Sequence, residues 1–474
     1  MNDSTEKRYL ERLNRVVTAL RNEKPDCVPI RPFAAEFVAR HSGYTCQDVA
    51  HDFTKAFDAT CKTLNDYDWD AAPGSMVYVW TGLTQALGLK YYGIPGIDIP
   101  ADTGFQYIEP APEDAFMKAD EYDALIDDPT AFLYERWLPR ASRYIQPTCS
   151  TLRYENNLAL VKGAMAMMHY FNAFPAQGAR MRQECGTPGA ISGIFKAPFD
   201  IIGDKLRGYI GLTMDMVTQP EKVLAACEAL MPHLYQMGMS GADPEGYAPI
   251  GFWMHRGCVP FVTPDQFDSH YWPTLKPIIE EFWAHGHQTL FYAEGNWDHH
   301  LESFAELPEK SMVFHIDRSD IEKATKILGP KFCLSGGVPN TVLSYGTQEE
   351  VEEACKVVLD TAAQDGGFIM DASAIIQNDA KPENMRILTD FTRKYGQYDG
   401  EPVAELPPRV CDGPIKSGPP TAFTPDPRAG VCSPWETYSA EKGSLPGDAD
   451  LAQRIWQEVD GLGYLFIWHC LLSF

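Results

Sequence analysis

The sequence predicts an α/β fold, a (β/α)8 barrel of the TIM type with insertions and an irregular C-terminal extension. Short apolar runs alternate with longer helical patterns over most of the 474 residues, which is typical of parallel βαβ units. The short runs are hydrophobic almost without interruption, as in strands covered on both faces. Eight such runs match the strand number of the barrel, although a doubly wound sheet would give much the same local pattern.

The chain is expected to begin with a separate amphipathic helix in residues 1–24. Ser4 or Thr5 can cap this helix, which runs to about Asn22, and Pro25 ends it. Strands are then predicted at 28–33, 66–72, 191–199, 248–255, 288–294, 311–317, 332–338 and 367–372. The helices between the later strands are predicted at 220–239, 264–285, 319–328 and 348–364.

These elements place the barrel in residues 25–400, with insertions at 90–190. Acidic residues and prolines are dense in 97–129, which indicates excursion loops on one face. Residues 401–474 form the proline-rich extension, with ten prolines between Pro402 and Pro446 and little expected regular structure. A short helix is predicted at 448–459, followed by an apolar strand or arm that docks on the barrel or on a second subunit.

The charge balance excludes a nucleic-acid binder. The chain has 40 Lys and Arg against 65 Asp and Glu, a net charge of −25, and no basic run of even four residues. No apolar run reaches the ~18 residues of a membrane span, and the first residues lack the order of a signal peptide. Twelve cysteines occur without a Cys-x-x-Cys pair, so we expect a cytoplasmic protein with reduced thiols.

Reactive groups of such barrels lie at the carboxyl ends of the strands, and five titratable residues stand there: His255, Glu294, His315, Asp317 and Asp371. Glu294 closes an apolar strand and precedes a Gly-Asn turn. His315 lies in the next strand, so the two side chains could share a zinc ion. The alternative is that the glutamate pairs with an arginine and that the histidine is a hydrogen-bonded core residue.

Aromatic residues are frequent near the predicted barrel mouth. Trp253, Tyr292 and Trp297, with Phe252 and Phe314, could line a pocket for a flat apolar substrate, and Asp371 could bind that substrate; alternatively these rings belong to the core. The chain lacks the glycine-rich nucleotide motifs and the Gly-x-Ser-x-Gly elbow, which disfavours nicotinamide, P-loop and α/β-hydrolase chemistry.

Four short motifs resemble the uroporphyrinogen decarboxylase superfamily, whose members are (β/α)8 barrels. They are Pro220-Glu-Lys-Val, Gly241-Ala-Asp, Gly346-Thr-Gln-Glu-Glu-Val and Pro382-Glu-Asn-Met. The similarity runs over about residues 15–395. The order and spacing of the motifs make the resemblance specific, although each motif alone is weak.

Departures from the family pattern argue against a true decarboxylase. Decarboxylases carry arginines after the first strand to hold propionate carboxylates, whereas this chain has Phe33 and Phe37 at those positions. Residues 73–89 contain no acidic residue to match the family's Phe-Ser-Asp aspartate. An acidic protein without the cationic clamp is a poor partner for a tetrapyrrole with eight carboxylates.

The chain is more similar to the branch of first methyltransferases in corrinoid-dependent O-demethylase systems of the vanillate or veratrol type. Zinc in that branch is associated with a Glu, Glu, His pattern whose last two members stand 21 positions apart, as Glu294 and His315 do. The first glutamate corresponds best to Glu280 or Glu281, inside a predicted helix. Asp317, His255 or water could complete the site instead. In the thiol-activating zinc branch the ligands are His-x-Cys and a later Cys, replaced here by Tyr292, Glu294 and Ala374.

The resemblance implies an enzyme that cleaves aryl methyl ethers and transfers the methyl group to Co(I) of a corrinoid held by a separate protein. Zinc on Glu294 and His315 would act as a Lewis acid, or His255 would donate a proton. The runner-up is a decarboxylase or other lyase on the same barrel, and a further alternative is a corrinoid methyltransferase with a non-ether donor. The expected partners are a corrinoid-binding protein, a small aromatic ether and, in a homodimer, a second copy of the chain.

Overall fold

Six parallel strands form the centre of the computed structural model, which describes residues 3–75, 81–147 and 153–472. They lie side by side in chain order as β1 to β6: Ser192–Ile194, Ile250–Met254, Thr289–Ala293, Met312–Ile316, Cys333–Val338 and Phe368–Ala372. The predicted α/β class with a parallel sheet is confirmed. The strands are shorter than predicted, and the largest difference is in β1, because Pro198 starts a helix where the sequence predicted strand to 199.

Extended segments near the N-terminus link the two edges of this sheet. Arg31 N donates to Met370 O of β6 at 2.9 Å, and Asp70 N donates to Ile30 O at 2.8 Å. Ala190 N then donates to Ala72 O at 2.9 Å, next to β1. The arrangement is TIM-barrel-like. The predicted strands 28–33 and 66–72 are present only as isolated bridges, and two prolines in the first of them lack the N–H that a ladder needs.

Helices cover the outside of the sheet close to the predicted positions. The N-terminal helix is Asp3–Leu20, and Pro220–Ser240, Ile321–Leu328 and Gln348–Ala362 follow the predictions within two residues. The predicted helix 264–285 is broken into Pro264–Gln266, a π-helical turn Phe267–Tyr271 and Trp272–Ala284. Further helices lie at Phe37–Ser42, Cys46–His51, Phe53–Asp66, Thr81–Leu87, Tyr122–Asp127, Pro129–Phe132, Leu138–Ala141, Pro198–Ile201, Gly208–Thr218, Leu301–Phe304, Asn340–Tyr345 and Pro382–Tyr395.

The predicted insertion contains the longest helix that the structure describes, Tyr154–Arg180. The segment 97–129 consists mostly of turns and short helices, as the prolines and acidic residues indicated. Part of it pairs with the preceding chain, because Tyr92–Gly93 and Gln106–Tyr107 form a small antiparallel pair. This pair lies beside the carboxyl ends of the central strands and contributes side chains to the site described below.

The C-terminal apolar run is helical, which corrects the prediction of a strand or arm. One helix, Ala449–Leu472, replaces the predicted short helix and strand. Its buried residues include Tyr464, Ile467, Trp468 and Leu471, whose spacing places them on one helical face. This face docks on the same chain, since Trp468 stacks on His233 with ring centroids 4.6 Å apart. The proline-rich segment before it is irregular, apart from the helix Trp435–Lys442.

All eleven cysteines in the described part of the chain are free thiols, and ten of them are buried. They therefore act as small core residues. None of the helices that the structure describes is long and apolar enough to cross a membrane.

Candidate functional site

The site is built at the carboxyl ends of β2 and β3. The two strands pair in parallel with Trp253 opposite Tyr292, so the residues that follow them, His255 and Glu294, become neighbours. His255 Nδ1 lies 3.5 Å from Glu294 Oε2. This nitrogen is buried and has no hydrogen-bonding partner among the described residues. It is therefore the ring atom that can face a ligand.

The other nitrogen of His255 is held by Asp204, which lies on the π-helical turn Ile202–Leu206. Asp204 Oδ2 is 2.7 Å from His255 Nε2 and 2.8 Å from Lys196 Nζ, and its Oδ1 accepts from Arg256 Nε at 2.6 Å. Burial alone would raise the pKa of Asp204, but His255 and Lys196 outweigh burial and hold that pKa well below its usual value. Asp204 is thus a buried, permanently charged carboxylate.

This carboxylate keeps His255 protonated. Burial lowers the pKa of the imidazole, but the charge of Asp204 and the contact with Glu294 raise it to about 9. At neutral pH the ring is therefore an imidazolium, which can donate from Nδ1. Asp200 fixes the backbone at the same point, because its Oδ1 accepts from the N–H groups of His255 at 3.0 Å and of Arg256 at 2.9 Å.

A cavity of about 230 Å³ opens in front of His255 and Glu294. Its wall consists mostly of aromatic rings and of charged or polar side chains. The lining residues are Glu36, Tyr92, Phe105, Tyr107, Lys196, Asp204, Lys205, Trp253, His255, Glu294, Ile375 and Gln377. The cavity therefore suits a flat ring that carries polar substituents.

Glu36 and Lys205 are buried ionisable groups on the cavity wall. Burial raises the pKa of Glu36 to about 7, although backbone hydrogen bonds oppose the shift. Burial also holds the pKa of Lys205 well below its usual value. The ammonium nitrogen of Lys205 lies 4.2 Å from the ring centroid of Tyr91 and 4.7 Å from that of Tyr92. Both side chains lie on the cavity wall, where they can exchange hydrogen bonds with a substrate.

His315, in contrast, is engaged within the protein. It pairs in register with Tyr292, two residues before Glu294, so it lies about 7 Å deeper along the strands. Its Nδ1 is 3.0 Å from Ser335 Oγ, and its Nε2 is 3.1 Å from Ser373 O. Burial and the charge of Arg31 hold its pKa well below the usual value, so the ring is neutral.

The three predicted zinc ligands are not brought together by the structure. Glu280 lies in the helix Trp272–Ala284, outside the strands, and the neighbouring Glu281 accepts from Ala422 N at 3.0 Å. Both nitrogens of His315 have protein partners, which leaves no lone pair directed at a metal. Among the described residues, the metal-type grouping is Asp200, Asp204 and His255. Its carboxylates already bind cations and N–H groups, so the donor set does not fit zinc.

The predicted substrate-binding residues lie at different depths relative to the cavity. Trp253 lines the cavity, whereas Tyr292 lies beneath it and stacks on His315 with ring centroids 3.8 Å apart. Trp297 is buried, and its Nε1 donates to Glu294 O at 3.0 Å, so it positions the strand end.

Asp371 is fully buried and accepts from Phe33 N at 3.1 Å. Burial raises the pKa of Asp371 to about 7, against the opposing charge of Arg31. Of these four residues, only Trp253 lines the cavity.

The sequence did not identify Lys196, Asp204 or the insertion residues that line the cavity, Tyr92, Phe105 and Tyr107. The prediction extended β1 to residue 199 and so placed Lys196 inside a strand. Pro198 was the signal for an earlier strand end, because proline is favoured at the first position of a helix. The segment that begins there carries Asp200 and Asp204. Tyr92 and Tyr107 belong to the short antiparallel pair, which shows no periodic pattern in the sequence.

Comparison with known proteins gives matches of three kinds. Residues 172–395 match the family model described as uroporphyrinogen decarboxylase (URO-D). A uroporphyrinogen decarboxylase of Chlorobium luteolum is 36% identical over 78 residues, and one of Chlorobium phaeovibrioides is 33% identical over the same length. Each alignment covers 16% of this chain and 22% of the relative, so the chain matches about a fifth of the length of these relatives.

A solved structure supports the fold over a greater length. A methyltransferase from Methanosarcina mazei superposes with a TM-score of 0.53 at 15% identity, covering 81% of this chain and 98% of that chain. At this identity the likeness concerns the fold alone. The family match and the structural neighbour together support the superfamily that the four sequence motifs resembled.

Proposed function

We propose that this protein is a methyltransferase that cleaves aryl methyl ethers and passes the methyl group to the cobalt of a corrinoid carried by a partner protein. The observation that carries the proposal is the protonated His255, which lines an aromatic-walled cavity at the strand ends and whose Nδ1 has no hydrogen-bonding partner among the described residues. Phenolate is a poor leaving group, and a proton donor at the ether oxygen removes that difficulty. The family match and the methyltransferase neighbour support an enzyme of this class.

In the proposed reaction, the methyl carbon is displaced in line from the ether oxygen and bonds to cobalt. The electron pair of the broken carbon–oxygen bond stays on oxygen, which takes the Nδ1 proton of His255 and leaves as a phenol. Cobalt supplies the electron pair for the new bond and is formally oxidised by two electrons. His255 regains its proton from water, and Asp204 stabilises the imidazolium before and after transfer.

The aromatic wall and Glu294 prepare the substrate for this step. Tyr92, Phe105 and Trp253 give the ring an apolar surface, and exclusion of water strengthens the contact with His255. Glu294 Oε2 lies 3.5 Å from His255 Nδ1, and the ether oxygen is placed beside these two atoms in the proposed complex. No step passes through zinc, because the predicted ligands Glu280, Glu294 and His315 are not brought together.

A uroporphyrinogen-type decarboxylase is the second candidate, and the names of the two curated relatives favour it. The cavity argues against it: its volume of about 230 Å³ lies below the ~300–1,000 Å³ of drug-sized ligand sites and fits one ring rather than four. The arginine nearest to the family's clamp, Arg31, is buried and bonds Ser335 Oγ at 3.0 Å. Three acids, Glu36, Asp204 and Glu294, also line the cavity and offset its basic groups, Lys196, Lys205 and His255, so the wall is not a cationic clamp.

The test uses free cob(I)alamin as the methyl acceptor under anaerobic conditions, with a panel of methoxybenzenes and methoxyphenols. We expect the cobalamin to be methylated only when an ether is present and the matching phenol to be released. The visible absorption spectrum of the cobalamin measures the methylation. Uroporphyrinogen serves as the alternative substrate, with carbon dioxide release as its readout. Carbon dioxide release without any methylation across the panel would favour the decarboxylase.

A further inference from the structure

A long apolar groove lies between the helices Tyr154–Arg180 and Ala449–Leu472. Its volume is about 1290 Å³, far larger than that of the cavity at His255. Its floor includes residues 191–194 at β1 and Gly241, which ends the helix before β2. These positions lie at the amino ends of the strands, whereas His255 lies at the carboxyl ends. The groove is therefore separate from the candidate active site.

Both helices expose apolar side chains, and five of these line the groove: Val161, Met168, Phe171, Val459 and Leu462. On the first helix the exposed apolar residues recur with the alternating spacing of four and three residues that is typical of helix-packing seams. They are Tyr154, Leu158, Val161, Met165 and Met168. The C-terminal helix exposes Leu451, Ile455, Val459 and Leu462. Two adjacent helices with such faces form a continuous apolar patch, and a patch of this size marks an interaction surface.

Charge favours a second copy of the same chain as the occupant. Two copies with a net charge of −25 each repel one another over most of their surface. The two groove helices are an exception, because together they carry four acids against three bases: Glu155, Asp450, Glu458 and Asp460 against Lys162, Arg180 and Arg454. Like-charged copies can therefore meet at this face with little repulsion.

The size of the face also fits a dimer. A helix of 27 residues is about 40 Å long, and two such helices side by side, each about 10 Å wide, present roughly 800 Å². That area is about what each partner buries in a stable interface. A two-fold axis lets the same face serve both copies, since each ridge then enters the groove of the other.

We propose that this groove is the interface of a two-fold homodimer in which the two helices of each copy pack against those of the other. The arrangement leaves both His255 cavities open, because the interface is at the amino ends of the strands. A partner protein that delivers a corrinoid can then dock on either copy. The interface does not depend on the proposed reaction.

The experiment measures the mass of the full chain by light scattering after size-exclusion chromatography, across a wide range of concentrations. The expected mass is about twice the 53.0 kDa of one chain. Val161→Glu and Val459→Glu, at side chains 56% and 63% exposed, should each give single chains. Val357→Glu is the matched control, because Val357 is 48% exposed on the helix Gln348–Ala362, outside the groove, and it should remain dimeric.

Circular dichroism verifies that the variants keep their helices. A wild-type mass of one chain at all concentrations would overturn the proposal. So would a dimer that persists in both groove variants, since the interface would then lie elsewhere. Titration of the wild type with a long-chain fatty acid tests the competing occupant, and single chains that bind it through Val161 would identify the groove as a small-molecule site.

Discussion

His255 is the residue on which the proposed chemistry depends. One nitrogen of the imidazole contacts the permanently ionised Asp204, and the other lies 3.5 Å from Glu294 without a hydrogen-bonding partner among the described residues. The carboxylate is buried, so its attraction for the imidazolium is little screened by water. A histidine in such a position acts as an acid over the whole physiological pH range, unlike one with an unperturbed pKa near about 6.5.

The first prediction concerns the pH dependence of methyl transfer. A group with a raised pKa is protonated below that value and loses its proton as pH rises through it. With the pKa of His255 at about 9, the rate should be flat around neutral pH and fall above about 9. Stopped-flow measurement of the rate between neutral and alkaline pH checks this expectation.

Two variants test the origin of that pKa. Asp204→Asn removes the charge that most raises the pKa of His255, so the pH above which the methyl-transfer rate falls should be clearly lower. Glu294→Gln should move the fall in the same direction but by less, because Glu294 is more exposed and its contact is longer. Circular dichroism must show both variants folded, since three cations lose a partner in Asp204→Asn. An unchanged profile in both would contradict the assigned role of His255.

At the scale of elements, strand β5 packs tightly at Gly336 against His315 and Ile316 of the neighbouring strand β4. Gly336 has φ +89°, and a Cβ added there would lie 2.5 Å from Ile316 O and 2.9 Å from His315 Cε1. We expect Gly336→Ala to lower the free energy of unfolding by about 2 kcal/mol or more, from the left-handed backbone and the clash. Gly447→Ala, with no heavy atom within 4 Å, should change it little. Urea unfolding of both variants measures the difference, and equal midpoints would contradict the account.

The C-terminal helix contributes to the stability of the barrel rather than extending from it. Trp468 is fully buried against His233 and donates to Thr130 Oγ1 at 3.1 Å. Trp468→Ala should cost about 3–5 kcal/mol, as large truncations in a core do. Trp456→Ala on the same helix is the control and should cost much less, because Trp456 is only partly buried. Thermal unfolding of the two variants gives the comparison.

The sequence predicts the central strands well because each is a short apolar run that ends in a turn. It predicts the C-terminal helix poorly, because Gly461 and Gly463 are unfavourable residues for a helix interior. The buried positions Tyr464, Ile467, Trp468 and Leu471 carried the helical period, and packing against the barrel outweighs the cost of glycine. Segments 28–33 and 66–72 were predicted as full strands but form only isolated bridges, since hydrophobicity does not show how many backbone hydrogen bonds a segment makes with its neighbours.

The site was predictable only in part, for a similar reason. Strand ends correctly located His255 and Glu294, and the parallel register makes them neighbours. The spacing between Glu294 and His315 suggested a metal pair, but register places His315 one layer deeper. Asp204 comes from a turn after β1 and reaches His255 through tertiary packing alone. A distance between positions in the sequence cannot show which layer of a barrel a side chain occupies.

For the whole molecule, the length of 474 residues is explained by one TIM-barrel-like unit, a helical insertion and a docked extension. The insertion supplies one wall of the cavity at the carboxyl ends of the strands and one ridge of the groove near their amino ends. The net charge of −25 suits an uncharged or weakly charged aromatic substrate better than a polycarboxylate.

The most direct test of the central claim compares two aryl methyl ethers of different leaving-group ability in the wild type and in His255→Ala. Single-turnover methylation of cob(I)alamin is measured with 2-methoxyphenol and with 4-nitroanisole, whose nitrophenolate leaves without help from an acid. Loss of a general acid should slow the first ether by about 100-fold or more and the second far less. Equal slowing of both ethers, or no loss with either, would contradict the account.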